Sequence, residues 1–338
     1  MTRKLTVAVA GATGAVGEEL LRILAERDFP LGGLRLLASS RSAGTKLAFR
    51  GENLAVEELR DDSFRGVDVA FFSCGAERSR RFVPAAREAG TVVIDNSSAF
   101  RLDPSVPLVV PEINADAAAA HRGVLAVPNC TTIVFLMAAA PLHREARLRR
   151  AVVCSYQATS GAGRAAMEEY DEQVRQVARG ESPTRRVLPR VIAGNVVPQV
   201  DVFLPGGDTK EERKLHDETR KILGDAEVSV AATCVRVPVR RAHSVAAALE
   251  FERPMPPERA RQILRSAPGV VVVDGGEPAD YPTPLDVSGG LDVHVGRIRA
   301  DATARNGLLL WSVGDQLLKG AAWNAVQIAE LLIGRALL

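Results

Sequence analysis

A chain of 338 residues is about twice the length that commonly makes one domain, so two domains are expected. Hydrophobic residues at 46% and charged residues at 25% exclude a disordered chain. Lys and Arg number 43 against 41 Asp and Glu, and the net charge of +2 gives no bulk electrostatic reason to bind nucleic acid or a membrane surface.

In chain order, the first half alternates short β-branched runs with amphipathic helical stretches. The pattern predicts strands at Leu5–Ala10, Leu34–Ala38, Val67–Phe72 and Thr91–Asp95, with helices over Gly14–Arg27 and Ser79–Ala89. Alternation of this kind predicts a parallel sheet with helices on both faces. A Pro-rich connection follows at 104–111, then an Ala-rich helix ending near His121 and Gly123, then an apolar helix at Ile133–Ala140. Beyond residue 150 the strands lengthen, at Ala151–Gln157, Val228–Val239, Ser244–Phe251, Val270–Val273 and Val293–Ala300. Helical patterns at Ala165–Arg179, Lys210–Leu223 and Pro257–Ser266 separate them. The last helix, Gly320–Leu332, is apolar over a wide face that suits packing back on the first domain. The expected class is therefore α/β: a Rossmann-like domain at 1–129 with the C-terminal helix 318–338, and an α+β domain with a mostly antiparallel sheet at 130–317.

Two stretches imitate targeting or membrane signals. Leu5–Val16 is apolar behind Arg3 and Lys4, but three turn-forming positions and then Glu18 and Glu19 make it a strand and glycine loop. Gly123–Leu142 carries no charge, yet Pro128, Asn129, Thr131, Thr132 and Pro141 leave only Ile133–Ala140 as a clean apolar run, too short for a bilayer. A cytoplasmic protein is expected. Four cysteines (Cys74, Cys130, Cys154, Cys234) make no disulfide framework, and without CxxC, HExxH or a His-rich tract no protein-built metal site is expected.

Gly11-Ala-Thr13-Gly14-Ala15-Val16-Gly17 joins the first strand to the first helix. A helix N-terminus offers N–H donors and a positive dipole end, and glycines let a pyrophosphate approach the backbone, so this loop is a dinucleotide-site candidate. Its spacing is G-x-x-G-x-x-G, a variant of the common fingerprint, and a ligand-free tight turn is the plain alternative. The second strand selects the cofactor. An NAD site places a carboxylate at its end for the ribose 2′-hydroxyl. Here the chain reads Ala38-Ser-Ser-Arg41-Ser42, and the guanidinium and hydroxyl suit a 2′-phosphate, favouring NADP.

Pro128-Asn129-Cys130-Thr131-Thr132 stands ahead of the apolar helix. A thiol at a helix N-terminus is biased towards thiolate, and with a dinucleotide domain it points to aldehyde oxidation through a thiohemiacetal and a thioester. Such chemistry needs an acid–base group, for which His243 in Arg240-Arg241-Ala242-His243-Ser244 is the best of five histidines.

At these residues the sequence resembles the aspartate-β-semialdehyde dehydrogenase family. The resemblance runs the length of the chain through VAVAGATGAVGEEL, ASSRSAGTKL, NSSAFRLDPSVPLVVPEIN, AVPNCTTI, SYQATSGAGRAAMEE, NVVPQVDVF, KEERK, ATCVRVPVRRAHS, VGRIR and DQLLKGAAWNAVQIAE. It implies a cytoplasmic homodimer that reversibly oxidises aspartate 4-semialdehyde to 4-phosphoaspartate with NADP and inorganic phosphate. In the reductive direction it would feed lysine (diaminopimelate), methionine and threonine synthesis. Carried over motif by motif, it implies Cys130 as nucleophile, His243 as acid–base group and Gln157 as the residue orienting the acyl group. Arg101, Lys214 and Asn129 would hold phosphate; Arg236 would pair with the substrate α-carboxylate and Glu211 with its ammonium. Gly11, Thr13, Gly14, Ala15, Val16, Arg41, Ser42, Ser160, Gly161 and Gln316 would line the NADP site. Val127 and Cys74 depart from the family pattern without touching this chemistry. The rival readings are a related acyl-phosphate reductase, such as one acting on N-acetylglutamyl phosphate, and a non-catalytic homologue. The KEERK segment and the setting of Arg236 favour the aspartyl substrate over the first. The presence of both Cys130 and His243 argues against the second.

Overall fold

The structure, a computed structural model, describes residues 3–338. In chain order its elements begin β1 (Leu5–Ala10), α1 (Ala15–Glu26), β2 (Leu31–Ala38), β3 (Lys46–Phe49), β4 (Glu52–Glu58), β5 (Val69–Phe72), α2 (Ala76–Glu88), β6 (Val92–Asp95), α3 (Pro111–Asn114) and β7 (Val124–Ala126). They continue α4 (Cys130–Ala146), β8 (Leu148–Gln157), α5 (Arg164–Ala178), α6 (Lys210–Leu223), β9 (Ser229–Arg236), β10 (His243–Phe251) and α7 (Pro257–Arg265). The chain finishes with β11 (Val270–Val272), α8 (Pro284–Val287), β12 (Val293–Asp301), β13 (Gly307–Gly314) and α9 (Trp323–Gly334). Two compact units divide it: the chain up to Asn129 together with Ala321–Leu338, and Cys130–Gly320. Among the described residues no helix is long and apolar enough to cross a membrane.

The first unit holds a seven-stranded sheet in the order β3-β4-β2-β1-β5-β6-β7. All pairs are parallel except the β3–β4 hairpin. The apolar runs of β1 and β5 are almost wholly buried, as strands covered on both faces must be. β1 pairs with β2 on one side and β5 on the other, so the chain reverses direction of travel across the sheet at its carboxyl end. The last helix, α9, belongs to this unit and packs on α1. Asn324 donates to Val109 O at 2.9 Å, Gln327 to Glu112 at 2.7 Å, and Arg27 pairs with Glu330 at 2.7 Å.

Three details differ from the sequence expectation, and one is β7, a short strand where none is expected. The β3–β4 hairpin fills the stretch after Arg41, where no strand is expected. The Ala-rich helix shrinks to α3 and a 3₁₀ segment at Ala115–Ala120. Asn114 stands at the break: its side chain accepts from Val110 N and donates to Leu108 O, both at 2.9 Å, a local alternative to helical bonding.

The second unit holds a six-stranded sheet in the order β11-β12-β13-β10-β8-β9. Its three central pairs are antiparallel and its two outer pairs parallel. Helix α4 packs on β8, β10 and β13, α6 on β9, and α7 on β11 and β12. β13 lies in a stretch to which the sequence reading assigns no element. Its continuous run LLLWSV lacks a clean period, although in the sheet buried and half-buried residues alternate along most of it. α4 is longer than its clean apolar run, starting at Cys130 and continuing through Pro141.

Candidate active site

In the first unit the glycine loop meets the ends of β2 and β5. Gly11 and Ala12 donate to Leu37 O at 2.8 and 3.2 Å. Gly11 takes φ +94°, and a Cβ there would strike Ser73 O. A Cβ at Gly17 would fall 2.7 Å from Ala12 O, so the loop can close this tightly only with glycine. Gly14 caps α1 with extended backbone and no side-chain bond, leaving Thr13, Gly14, Ala15 and Val16 half-buried around the helix start. Beyond β2, Arg41 is exposed and makes no ion pair among the described residues, while Ser42 is half-buried in the same turn. The loop, the helix terminus and an uncommitted guanidinium with no carboxylate at the strand end form a cradle that fits a dinucleotide carrying a 2′-phosphate. Arg101, also in this unit, is buried: its Nε donates to Val127 O at 2.9 Å and its Nη2 to Asn96 O at 2.8 Å. Burial raises the pKa of Asp95, also in this unit, and Arg101 partly offsets that rise. Asn129 is buried and ends the unit, one peptide bond before Cys130.

In the second unit, sheet register assembles the remaining side chains. β8 ends at Gln157, whose parallel partner is Arg236, the last residue of β9. β10 runs antiparallel to β8 and begins at His243, next to Ser244, which pairs with Tyr156. The ends of β8 and β9 and the start of β10 therefore share one edge. Gln157 donates to Glu211 at 3.2 Å and to Ser155 at 3.1 Å. Glu211 sits in the first turn of α6, whose start is fixed by a Thr209/Glu212 capping box and whose end is fixed by Gly224 in the left-handed region. Glu212 also accepts from Cys234 N at 2.9 Å, pinning α6 to β9.

Lys214, one turn along α6, lies 3.0 Å from Glu211 and 2.9 Å from Asp201. Burial opposes its charge, but the two carboxylates outweigh burial and raise its pKa. Asp201, a partner the sequence reading does not anticipate, is held in the left-handed region at φ +69°. Cys130 opens α4, where the helix dipole favours thiolate, and it lies close enough for a thiolate there to raise the pKa of Arg236. Gly320 lets the thiol's backbone pack closely, since a Cβ there would stand 2.7 Å from Cys130 Cβ.

Two buried groups at this edge face the site incompletely satisfied. The Arg236 guanidinium is 7% exposed and gives Nη1 to Ala158 O at 2.7 Å, but forms no ion pair among the described residues, although the charge of Glu211 acts on it. Burial lowers its pKa from the ordinary value, the cost of a charge kept dry. His243 is fully buried; its Nδ1 accepts from Ala158 N at 3.1 Å, so the neutral ring carries its proton at Nε2. Nε2 finds no hydrogen-bond partner. A Cβ on Gly161 would lie 2.7 Å from Arg236 Nη1 and 2.9 Å from His243 Nε2, which puts both groups against one glycine. A cavity of about 260 Å³ opens at Arg236 between Ala162, Val197, Gln199 and Asp201. Ser160 and Gln316 bond to each other here, and Gln316 also accepts from Ala242 N at 2.9 Å.

Residues 6–121 match the semialdehyde dehydrogenase NAD binding domain family and residues 139–319 the semialdehyde dehydrogenase dimerisation domain family. An aspartate-semialdehyde dehydrogenase of Synechocystis sp. is 49% identical over 335 residues, covering 99% of each chain. The crystal structure of Vibrio cholerae aspartate semialdehyde dehydrogenase II complexed with ASA superposes with a TM-score of 0.95 at 42% identity, over 98% of this chain and 99% of that one. The Candida albicans aspartate semialdehyde dehydrogenase structure with NADP gives a TM-score of 0.79 at 26% identity, over 99% of this chain and 100% of that one. With both domain families matched in order and relatives aligned end to end, this chain belongs to the aspartate-semialdehyde dehydrogenase family.

Proposed function

We propose that the chain catalyses the reversible, phosphate-dependent oxidation of L-aspartate 4-semialdehyde to 4-phospho-L-aspartate with NADP, as a cytoplasmic homodimer serving amino-acid biosynthesis. The observation that carries this reading is the buried Arg236 guanidinium, which forms no ion pair among the described residues, beside the partnerless Nε2 of His243. One suits a substrate carboxylate, the other an oxygen that becomes negative during the reaction. Glu211, next to Gln157, suits the substrate ammonium.

The Cys130 thiolate adds to the aldehyde carbon, and the carbonyl oxygen becomes the alkoxide of a thiohemiacetal. His243 meets that oxygen from Nε2, so whatever acid–base work it does passes through this atom. The glycine loop, with Arg41 and Ser42 at the 2′-phosphate, would hold NADP, which would supply the hydride acceptor for this oxidation. Cys130 is left carrying an acyl thioester whose carbonyl Gln157 orients. Phosphate, for which the family resemblance implies Arg101, Lys214 and Asn129, then attacks the acyl carbon, the C–S bond breaks and Cys130 leaves as thiolate. Phosphate must compete with Asp201 and Glu211 for Lys214. The dimer is supported by the match to the dimerisation domain family.

The test is NADPH formation from aspartate semialdehyde with and without phosphate, beside N-acetylglutamate semialdehyde. Phosphate-dependent turnover of the first alone is expected. Preference for the acetylated substrate would overturn the aspartyl assignment, and equal rates without phosphate would overturn the acyl-phosphate product.

A further inference from the structure

The residues just before β10 and just after β13 form a clasp, of which Arg241 and Asp315 have no part in the chemistry above. His243 pairs with Gly314 in the β10–β13 register, so Arg241 and Ala242 face Asp315 and Gln316 beyond the paired ends. Asp315 is fully buried and its carboxylate gathers four donors. Arg241 Nε reaches it at 2.5 Å and Gly289 N at 2.7 Å, both on Oδ2. Leu317 N and Leu318 N reach Oδ1 at 3.0 and 3.3 Å. Ala242, between Arg241 and His243, is held at φ +70°, a left-handed conformation that a residue with a Cβ rarely adopts unless its surroundings impose it. Its methyl is buried with Val287 and Val313, and its N–H goes to Gln316. The strained residue is thus clamped on the side chain before it, on its own amide and on its own methyl.

We propose that the Asp315–Arg241 ion pair is the positioning device for His243. By fixing Ala242 in its left-handed conformation it sets the direction in which the next residue leaves the strand. The imidazole then seats Nδ1 on Ala158 N and points Nε2 at Gly161 and Arg236. Neither Asp315 nor Arg241 needs to touch substrate or cofactor; both act through His243. Small displacements suffice, because reacting groups off by about 1 Å can cost ~100-fold in rate.

This inference rests on the semialdehyde dehydrogenase reading, and the wild-type assay above tests that reading separately. The clasp is tested by a double-mutant cycle in the full-length enzyme, with Asp315→Asn, His243→Gln and the combined variant. Alone, Asp315→Asn is expected to lower kcat about 10- to 100-fold. KM for the semialdehyde and the directly measured Kd for NADP should stay within about twofold. In the His243→Gln background the same substitution should cost less than about twofold, because residues acting as a unit are non-additive. Arg241→Lys, which keeps the charge but not the Nε geometry, repeats the test should Asp315→Asn fail to fold. An equal loss in both backgrounds, or no loss in either, would overturn the proposal.

Discussion

The glycine loop of the first unit and the thiol site of the second are built on opposite principles. The loop is contiguous: seven residues, Gly11 to Gly17, make a cradle from backbone N–H groups and a helix end, with Arg41 supplied by the turn after β2. The thiol site is dispersed: Cys130, Gln157, Glu211, Arg236 and His243 come from a helix start, three strand ends and a second helix. Only the register of β8, β9 and β10 brings the three strand residues to one edge. A backbone site depends on the absence of side chains and tolerates changes around it. A side-chain site depends on a few charged and polar groups, and each can be removed singly.

That contrast can be broken from either side. The largest effect belongs to Cys130→Ser, which should leave NADP binding intact and lower turnover by several orders of magnitude, because the proposed covalent intermediate forms on this thiol. Titration of the variant with NADP and a kcat measurement check both halves. Arg236→Lys comes next. It keeps a charge but loses the planar fork, and should lower kcat/KM for the semialdehyde about 10- to 100-fold with little change in NADP affinity. Unchanged semialdehyde kinetics would move the carboxylate grip elsewhere. In the other unit, Arg41→Ala should weaken NADP about ten- to a hundredfold, the worth of a charge-assisted bond, while leaving NAD affinity nearly constant. An equal loss for both would make Arg41 a residue of the turn and not of the cofactor.

The smallest effect is on stability. Burial, with the Arg236 charge beside it, holds the His243 imidazole well below its usual 6.5 in the folded chain. The unfolded chain therefore binds the extra proton as pH falls through 6.5, and stability is full above that value and lost below it. Wild type minus His243→Gln, from urea unfolding at several pH values, should decline by up to ~1.4 kcal/mol per pH unit on the acid side. A flat difference would mean the ring is solvated or charged in the fold.

The two regions were also unequally legible in the sequence. β1, the glycine loop and α6 announce themselves through an apolar run, turn residues at fixed spacing and a helical pattern over Lys210–Leu223. These are local signals, and the structure keeps them in place. The strand β13 and the β3–β4 hairpin are marked only by short turn signals, Asn306-Gly307 and Arg50-Gly51, and their place is decided by which neighbours they pair with. The same holds for side chains. Nothing near Lys214 in sequence reveals Asp201, 13 residues away across a loop. Nothing near Arg241 reveals Asp315, 74 residues on. Candidates for the thiol site could be named from family resemblance. The tautomer of His243, the commitment of Lys214 to two carboxylates and the clasp behind Ala242 are properties of register, and a single sequence does not display register.

The central claim, that the dispersed site works through a covalent intermediate on Cys130, is tested most directly by intact-protein and peptide mass spectrometry. Enzyme would be mixed with aspartate semialdehyde and NADP in phosphate-free buffer, quenched in acid and digested. An aspartyl thioester confined to the Cys130 peptide, disappearing when phosphate is added before the quench, is the predicted result. Full NADPH formation with no adduct on Cys130, or an adduct on Cys74, Cys154 or Cys234 instead, would contradict it.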